Sequence, residues 1–337
     1  MSIPASAVSR MVTEMAPTST SVLTRRGRLA KDVRRDLEGS QKRLQPKYLY
    51  DALGSQLFEA ICELPEYRIT RAERGLLAAH AGEMGVGLVS PVTLVELGGG
   101  SGEKLALLIE PLVQTLRDVS VALVDVSSTA IALATRTLGR YPDLPVTGHE
   151  TTYEDGLRQA VATRSGDDTI LVAFLGSNFG NLDPAEALAF LGRVRSALRA
   201  GDRLVLGADL VKPEAELVLS YDDPLGVTAA FNKNLLVRLN RELGANFDLD
   251  QFAHRAVWNA TASRVEMHLE SLCDQTVLLP AANCLVRFTA GESIWTESSY
   301  KYNEDGIADM GAAAGFARRD QWVDAEARFA VTVFDAE

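Results

Sequence analysis

The chain has 337 residues, of which 47% are hydrophobic, and this is enough to bury one large core or two moderate ones. Its net charge of -11 and its lack of a basic block exclude a nucleic-acid groove, which needs a positively charged surface. The apolar runs are too short to span a membrane, and the three cysteines and four histidines show no metal-ligand spacing. We therefore expect a reduced, cytoplasmic protein with no metal, no nucleic-acid partner and no membrane attachment.

The N-terminal stretch is rich in serine and threonine and carries several arginines. It lacks the apolar segment of a secretion signal. Its low acid content also fits a transit peptide, but chain ends of this composition are more often frayed. We predict a flexible tail over residues 1–35.

From residue 92 onward, apolar strands alternate with amphipathic helices. Ser127 and Asp183 are suited to N-cap two of these helices, and Pro184 suits the first helical position. Continuous apolar strands separated by helices indicate a parallel sheet that is covered on both faces, and such a sheet binds its ligand beyond the carboxyl ends of the strands. The predicted strands span residues 92–97, 119–125, 169–176 and 202–209.

The pattern changes after the fourth predicted strand. The segment 213–302 contains one helical stretch and then several strand-like stretches, without another glycine turn. In "VEMHLE", the apolar residues Val265, Met267 and Leu269 alternate with polar ones, which is typical of a half-buried antiparallel strand. A short helix at 304–314 and a last strand, "ARFAVTVF", end the chain.

These elements predict an α/β fold in which a doubly wound, Rossmann-like sheet carries a second, smaller α+β domain. The chain leaves the large sheet, builds the second unit and returns to the sheet at its end. We predict that the large domain takes residues 71–212 and 303–337. The smaller domain takes residues 36–70 and 213–302.

The stretch "LVELGGGSGEKLALL" places a glycine turn between the first predicted strand and a helix, and three kinds of ligand compete for it. A P-loop requires Lys and Ser/Thr directly after the last glycine, where this sequence has Glu-Lys-Leu, so a nucleotide phosphate does not fit. A dinucleotide site requires glycine at the position of Glu103, whose acid is unfavourable for a pyrophosphate. The remaining pattern favours S-adenosylmethionine, which has no phosphate, and consists of Glu96, Gly98, Gly100 and Gly102.

Two further side chains fit this cofactor. Asp125 ends the second predicted strand and is suited to accept hydrogen bonds from both ribose hydroxyls; the alternative is that it only caps the following helix. Lys104 is placed to meet the methionine carboxylate. A glycine turn with an acid on the next strand indicates a class I methyltransferase that uses S-adenosylmethionine.

Longer stretches of the sequence resemble one family. The strings "LQPKYLYDALGSQLFEAICELPEYRITRAE", "FLGSNFGNLDPAEALAFL", "LVLGADLVK", "SYDDPLGVTAAFNKNLLVRLNRELGANFDLDQFAHRAVWN" and "WTESSYKY" are together similar to the L-histidine Nα-methyltransferase family of ergothioneine biosynthesis. This resemblance implies a methyltransferase domain and a separate histidine-binding domain. It also implies methylation of the α-amino group of L-histidine to the trimethylated betaine, hercynine, which is the first step of that pathway.

The resemblance assigns cofactor contacts residue by residue. It places them at Gly98, Lys104 and Asp125, which are the positions chosen above on chemical grounds. At the adenine the family has an acidic residue followed by an aromatic one, and the corresponding residues here are Thr152 and Tyr153. The aromatic residue is present, whereas a threonine stands in place of the acid.

The resemblance also implies which residues bind the amino acid. Asn181 and Tyr221 hold its carboxylate, Glu297 and Ser299 hold its imidazole, and Tyr50 lies near its amino group as the catalytic residue. Further contacts are expected at Tyr67, Gly176 and Met267.

The residues themselves allow other interpretations of this second site. Glu297 and Ser299 are two apart on an extended segment, so their side chains share a face with Trp295 and Lys301. A carboxylate beside a hydroxyl suits the two nitrogens of an imidazole. The alternative is an ion pair between Glu297 and Lys301 on a solvated face. Ordinary packing is the alternative for Tyr50 and Tyr67, and less so for Tyr221, and a methionine such as Met267 on an alternating strand more often belongs to the core.

Three other functions remain open at this point. The first is N-methylation of another amino acid such as tryptophan, although a carboxylate suits imidazole better than indole. The second is a non-catalytic S-adenosylmethionine-binding protein, which would need no amino-acid pocket. The third is a nicotinamide-dependent oxidoreductase, which Glu103 disfavours. We expect a monomer that acts on a small amino-acid substrate.

Overall fold

The structure is a computed structural model that describes residues 19–164, 166 and 168–337, with side chains from residue 26 onward. Residues 1–18 of the predicted tail lie outside the described residues. The rest of that tail belongs to helix α1, Ser19–Leu37, which buries Leu29, Val33 and Leu37. These three side chains are four residues apart and share one face of the helix. Residues 26–35 therefore form a packed helix and not the predicted tail.

The sequence forms helices where apolar residues recur at helical spacing and capping residues precede them. Asp183 and Glu186 form a capping box with Pro184 in the first turn, and Ser127 accepts from the backbone N–H of Ala130, as predicted. The other helices are α2 Ala52–Cys62, α3 Ile69–Met84, α4 Glu103–Thr115, α5 Ser128–Leu138, α6 Tyr153–Ala162, α7 Pro184–Ala197, α8 Glu214–Leu219, α9 Val227–Leu243 and α10 Glu304–Ala313.

A large sheet, a smaller antiparallel sheet and a hairpin contain the strands of the described chain. The strands are β1 Val92–Leu97, β2 Val119–Asp125, β3 Val146–Glu150, β4 Thr169–Phe174, β5 Arg203–Asp209, β6 Phe252–Asn259, β7 Arg264–Ser271, β8 Gln275–Leu279, β9 Cys284–Phe288, β10 Ser293–Tyr300, β11 Phe316–Asp324 and β12 Phe329–Ala336.

The large sheet has the order β11-β12-β5-β4-β1-β2-β3. Strands β1 to β5 pair in parallel, as the sequence predicts. The returning strand β12 pairs antiparallel with both β5 and β11, so the sheet is mixed and not purely parallel. Because the order reverses next to β1, the carboxyl ends of β1 and β4 border the crevice in which such sheets bind ligands.

Helices cover both faces of this sheet, which confirms the doubly wound arrangement. Along β1, Leu94 is buried in the core that contains α3, α4 and α5. Its neighbour Val95 is buried in the core that contains α6, α7 and α10. Successive residues of a strand point to opposite faces, so the continuous apolar run of β1 reflects burial on both sides.

The remaining strands form a three-stranded sheet, β10-β7-β6, and a hairpin of β8 and β9. Strand β7 pairs antiparallel with both neighbours and buries Val265, Met267 and Leu269, as predicted. The segment before α2 lies against strand β10, where the backbone N–H of Leu44 donates to the carbonyl of Trp295. Helix α2 packs against α9. The two segments that we assign to the smaller domain are therefore in contact.

Candidate active site

The glycine turn after β1 has a backbone that only glycine adopts readily. Gly98, Gly100 and Gly102 have φ angles of 84°, 47° and 75°, in the left-handed region. A Cβ atom at Gly102 would also lie 2.9 Å from the Cα of Ala134 in α5. The turn is therefore required both for its conformation and for the close packing of α4 on α5.

A cavity of about 260 Å³ lies between this turn, helix α2, the loop after β4 and strand β10. It brings together residues that are up to 249 positions apart in the predicted site, from Tyr50 to Ser299. The predicted site residues that line it are Tyr50, Tyr67, Gly98, Gly100, Lys104, Gly176, Asn181, Tyr221, Met267, Glu297 and Ser299.

The other three predicted residues, Asp125, Thr152 and Tyr153, lie outside the lining of this cavity. Asp125 accepts from the backbone N–H of Ser127 at 2.8 Å, whereas Ser127 and not Asp125 is the N-cap of α5, so the predicted capping alternative is wrong. Burial raises the pKa of Asp125, although backbone N–H groups oppose this. Thr152 N-caps α6, and the hydroxyl of Tyr153 lies 3.1 Å from where a Cβ of Gly98 would be.

Lys104 is held by a carboxylate that the sequence analysis did not select. Its Nζ donates to Glu73 Oε2 at 2.7 Å, and the backbone N–H of Gly176 donates to both oxygens of Glu73 at 2.7 and 2.9 Å. Burial alone would lower the pKa of Lys104, but the Glu73 carboxylate outweighs it and the pKa is raised. Glu73 therefore joins α3, the start of α4 and the loop after β4.

Glu297 is buried in the cavity wall, with 7% of its surface exposed. Its Oε2 has no hydrogen-bond partner among the described residues. Burial raises the pKa of Glu297 to about 7, against the opposing effect of the Lys301 ammonium. A buried carboxylate without a partner is costly, so this oxygen is suited to receive an N–H from a ligand.

The predicted alternative, an ion pair between Glu297 and Lys301, is wrong. Lys301 Nζ lies 2.8 Å from Asp209 Oδ2, and both side chains are fully buried. Asp209 also binds Lys212, at 2.7 Å through its other oxygen. Lys301 further donates to the hydroxyls of Tyr221 and Ser299, each at 2.9 Å.

Trp295 does not share the face of Glu297, contrary to the simple alternation. The register of β10 against β7 shifts between Trp295 and Glu297, so that Trp295 pairs with His268 whereas Glu297 pairs with Met267. Trp295 then stacks on His268, with ring centroids 5.9 Å apart. The β-bulge at Thr296 therefore turns Trp295 away and points Glu297 into the cavity.

Aromatic side chains form the wall opposite β10. Tyr50 packs edge-on against Phe58 and Phe231, with centroid distances of 5.6 and 5.5 Å. Tyr67 packs in the same way between Phe58 and Tyr221. Burial, followed by the Glu297 carboxylate, raises the pKa of Tyr50 well above its usual value, so this phenol is neutral.

Several residues of the site were missed because nothing in their local sequence distinguishes them, namely Glu73 behind the cavity wall and the lining residues Phe58, Phe231, Asn178 and Thr228. Glu73 stands in "RAERG", which looks like the exposed face of a helix. Phe58 and Phe231 look like ordinary core positions. Asn178 and Thr228 also line the cavity.

Among the described residues, no group of histidine, cysteine, aspartate and glutamate side chains is arranged to hold a metal ion. No helix within those residues combines the length and the apolar character needed to cross a bilayer.

The sheet order, the glycine turn and the cavity at the strand ends together define a class I methyltransferase that uses S-adenosylmethionine. A family model described as histidine-specific, S-adenosylmethionine-dependent methyltransferase matches residues 29–336. The chain belongs to this family, which confirms the resemblance seen in the sequence.

Individual relatives agree with this assignment. The chain is 39% identical over 312 residues to histidine N-alpha-methyltransferase of Mycolicibacterium smegmatis and 40% identical over 312 residues to that of Mycobacterium tuberculosis. Each alignment covers 90% of this chain and 94% of the relative. Ergothioneine biosynthesis protein 1 of Neurospora crassa is 26% identical over 284 residues, which are 83% of this chain and 32% of that protein.

Proposed function

We propose that this enzyme methylates the α-amino nitrogen of L-histidine and continues to the trimethylated betaine, hercynine, as the first step of ergothioneine biosynthesis. The observation that carries the proposal is the buried, unpartnered oxygen of Glu297, which lies beside Ser299 in the same cavity as the glycine turn. The names of the relatives, histidine N-alpha-methyltransferase and ergothioneine biosynthesis protein 1, support the choice of substrate and pathway.

The residues around the turn fit S-adenosylmethionine. A Cβ at Gly98 would lie 3.0 Å from Asn178 Nδ2, so the glycine keeps open the space through which a ligand approaches the backbone. We assign the ribose to Asp125, the adenine to Thr152 and Tyr153, and the methionine carboxylate to Lys104. An ammonium has three hydrogens, and Glu73 takes one of them, which leaves Lys104 able to bind a second carboxylate.

The opposite side of the cavity fits the amino acid. We assign the imidazole to Glu297 and Ser299, with Met267 against the ring, and the carboxylate to Asn181 and Tyr221. Gly180 permits the close approach of the Asn181 loop to β10, because a Cβ there would lie 2.7 Å from the carbonyl oxygen of Tyr300. Tyr67 and Gly176 complete this part of the wall.

When bound, S-adenosylmethionine supplies an electrophilic methyl group on a sulfonium centre. The role of this chain is to hold a neutral amine in line with the bond that breaks, and such positioning alone accounts for a large share of the rate. The Asn181 and Glu297 sides of the cavity fix the two ends of histidine and thereby the nitrogen between them. Tyr50, neutral and close to Glu297, offers a hydroxyl that orients the amine between successive transfers.

The experiment compares Glu297→Ala with Asn181→Ala on histidine, tryptophan and phenylalanine. Phenylalanine has no side-chain N–H and leaves the buried carboxylate unpaired, at a cost of about 1–3 kcal/mol. Indole has one N–H but no second nitrogen for Ser299, so histidine should be the preferred substrate. Glu297→Ala should lower kcat/KM for histidine by about tenfold or more and affect tryptophan less. Asn181→Ala should impair all three substrates alike. Equal losses in both variants on every substrate would contradict the proposed division of roles.

A further inference from the structure

The hydroxyls of Tyr221 and Ser299 lie 2.7 Å apart, and Lys301 binds both. The three hydrogens of the Lys301 ammonium are all used, by Asp209 Oδ2, by the Tyr221 hydroxyl and by Ser299 Oγ. Lys301 therefore clamps two hydroxyl oxygens against each other. Two oxygens at this distance repel unless one hydrogen lies between them, so the pair retains one hydroxyl hydrogen for a ligand.

The single free hydrogen limits what the ligand atoms near these hydroxyls can be. A carboxylate only accepts hydrogen bonds, so a substrate carboxylate at Tyr221 takes the free hydrogen. Ser299 must then donate to Tyr221, a reversal of the direction found in the structure, which a rotating hydroxyl allows. Ser299 is left as an acceptor, and the ring nitrogen that faces it must carry a hydrogen.

Glu297, two residues along β10, faces the same ring. If Glu297 is ionised it also requires an N–H, so both ring nitrogens must be protonated. If Glu297 is protonated it donates to the bare nitrogen while Ser299 accepts from the other. In both arrangements the ring and Glu297 together hold one proton more than a neutral ring beside an ionised carboxylate.

We propose that Lys301 is a positioning residue that fixes Ser299 as an acceptor, so that the site binds the imidazole together with one proton shared between the ring and Glu297. This inference rests on the proposed function, because it takes Tyr221 and Glu297 as contacts of histidine. The inference goes beyond the proposed function because it assigns a role to Lys301 and its partner Asp209 and fixes the protonation state of the bound substrate.

The charged and titratable groups around the shared proton are few and identifiable. Glu297 is approached by Lys301, which directly follows β10, and by Tyr50, which precedes α2. Ser299 faces Tyr221 and Lys301. Lys301 is held ionised by Asp209, against the effect of its burial.

The test measures proton uptake on binding hercynine in the presence of S-adenosylhomocysteine. Hercynine carries a quaternary nitrogen, so its amine cannot titrate and obscure the signal from the ring. At about pH 8 the free imidazole, with an ordinary pKa near 6.5, is neutral, so calorimetry in buffers of different ionisation enthalpy should show uptake approaching one proton. Above about pH 8, the Kd for hercynine should rise about tenfold per pH unit.

Two variants separate the clamp from a general effect of charge. Lys301→Met lets the two oxygens move apart and frees both hydroxyl hydrogens, so Ser299 can donate to a bare nitrogen and the proton uptake should fall. Because Lys301 also lowers the pKa of Glu297, the uptake of this variant is measured at about pH 9–10, where Glu297 is ionised before hercynine binds. Lys212→Met is the matched control: it removes a lysine from the same Asp209 but touches neither hydroxyl, and it should keep the uptake of the wild type. An equal loss in both variants would refute the positioning role.

Even if Lys301→Met does not fold, the wild-type measurement decides whether the substrate ring binds with an additional proton. Hercynine binding without proton uptake, in an enzyme that methylates histidine, would overturn the inference and leave the proposed function intact. Failure to bind hercynine, together with methylation of a different amino acid, would overturn both.

Discussion

The Lys104 ammonium lies 2.7 Å from the fully buried carboxylate of Glu73, which also accepts the backbone N–H of Gly176. This contact joins the start of α4, next to the glycine turn, to the loop that follows β4. Because the proposed cofactor and substrate regions meet between these two segments, Glu73 holds both in place without lining the cavity itself.

Glu73→Ala should therefore destabilise the protein strongly. It leaves a half-buried ammonium and a backbone N–H without their partner. Breaking a fully buried pair on one side costs about 3–5 kcal/mol, so we expect a loss of about 3 kcal/mol for this half-buried one. Urea denaturation at neutral pH measures this. Glu83→Gln, on the same helix but in an exposed pair with His80, is the control and should change stability by less than about 0.5 kcal/mol. A similarly small effect of Glu73→Ala would show that Lys104 finds another partner.

Asp125→Ala should weaken the binding of S-adenosylhomocysteine by about 1.5–3 kcal/mol, the range for a hydrogen bond to a charged group. In the wild type, S-adenosylhomocysteine should raise the Tm, whereas NAD should leave it unchanged. Thermal shift assays and calorimetry measure both effects. Stabilisation by NAD alone would refute the assignment of the glycine turn.

Thr152→Asp should be tolerated and should retain or improve cofactor affinity. Thr152 Oγ1 accepts from the backbone N–H of Asp155 at 3.4 Å as the N-cap of α6, and aspartate caps helices at least as well. The change also restores the acid that the family has beside the adenine. Thr152→Val removes the cap and should cost about 0.5–2 kcal/mol of stability. A large loss of cofactor affinity in Thr152→Asp would show that this residue does not lie at the adenine.

Glu297→Gln should stabilise the protein without ligands at high pH. The folded-state pKa of Glu297, about 7, lies above its ordinary value of 4.5, so the folded protein binds the proton more tightly than the unfolded chain. Its contribution to stability is therefore present at low pH and is lost as the pH rises through about 7. Between about pH 5 and 8 the wild type should lose about 2–3 kcal/mol relative to Glu297→Gln.

Chemical denaturation at both pH values measures this difference. Glu304→Gln, which changes an exposed carboxylate at the start of α10, should show no comparable pH dependence. A difference between wild type and Glu297→Gln that does not change with pH would mean that Glu297 is not desolvated.

The sequence predicts those parts of the fold that depend on local patterns. Local patterns identify the strands β1, β2, β4 and β5 by their apolar runs, and two helices by the capping residues Ser127 and Asp183. These patterns are local because burial on both faces and helix capping act within a few residues. Strand β11 was not predicted, since its "ARRDQ" reads as polar surface and its pairing with β12 is a tertiary effect.

In the candidate site, too, local features are predicted from the sequence and long-range contacts are not. Its glycine turn has a local signature, and the family resemblance located Glu297 and Ser299. The local signature and the resemblance do not reveal that Lys301 pairs with Asp209 of the large sheet. They also do not reveal that a bulge at Thr296 turns Trp295 away. Long-range partners and register shifts are set by packing, to which a single sequence gives no access.

The central claim, N-methylation of histidine, is tested most directly by incubating the protein with S-adenosylmethionine and an equimolar mixture of the twenty amino acids, followed by mass spectrometry. The proposed function predicts that histidine is consumed first, that mono-, di- and trimethylated products appear on its α-nitrogen, and that the trimethylated form accumulates. Methylation of another amino acid while histidine stays unmodified would contradict it.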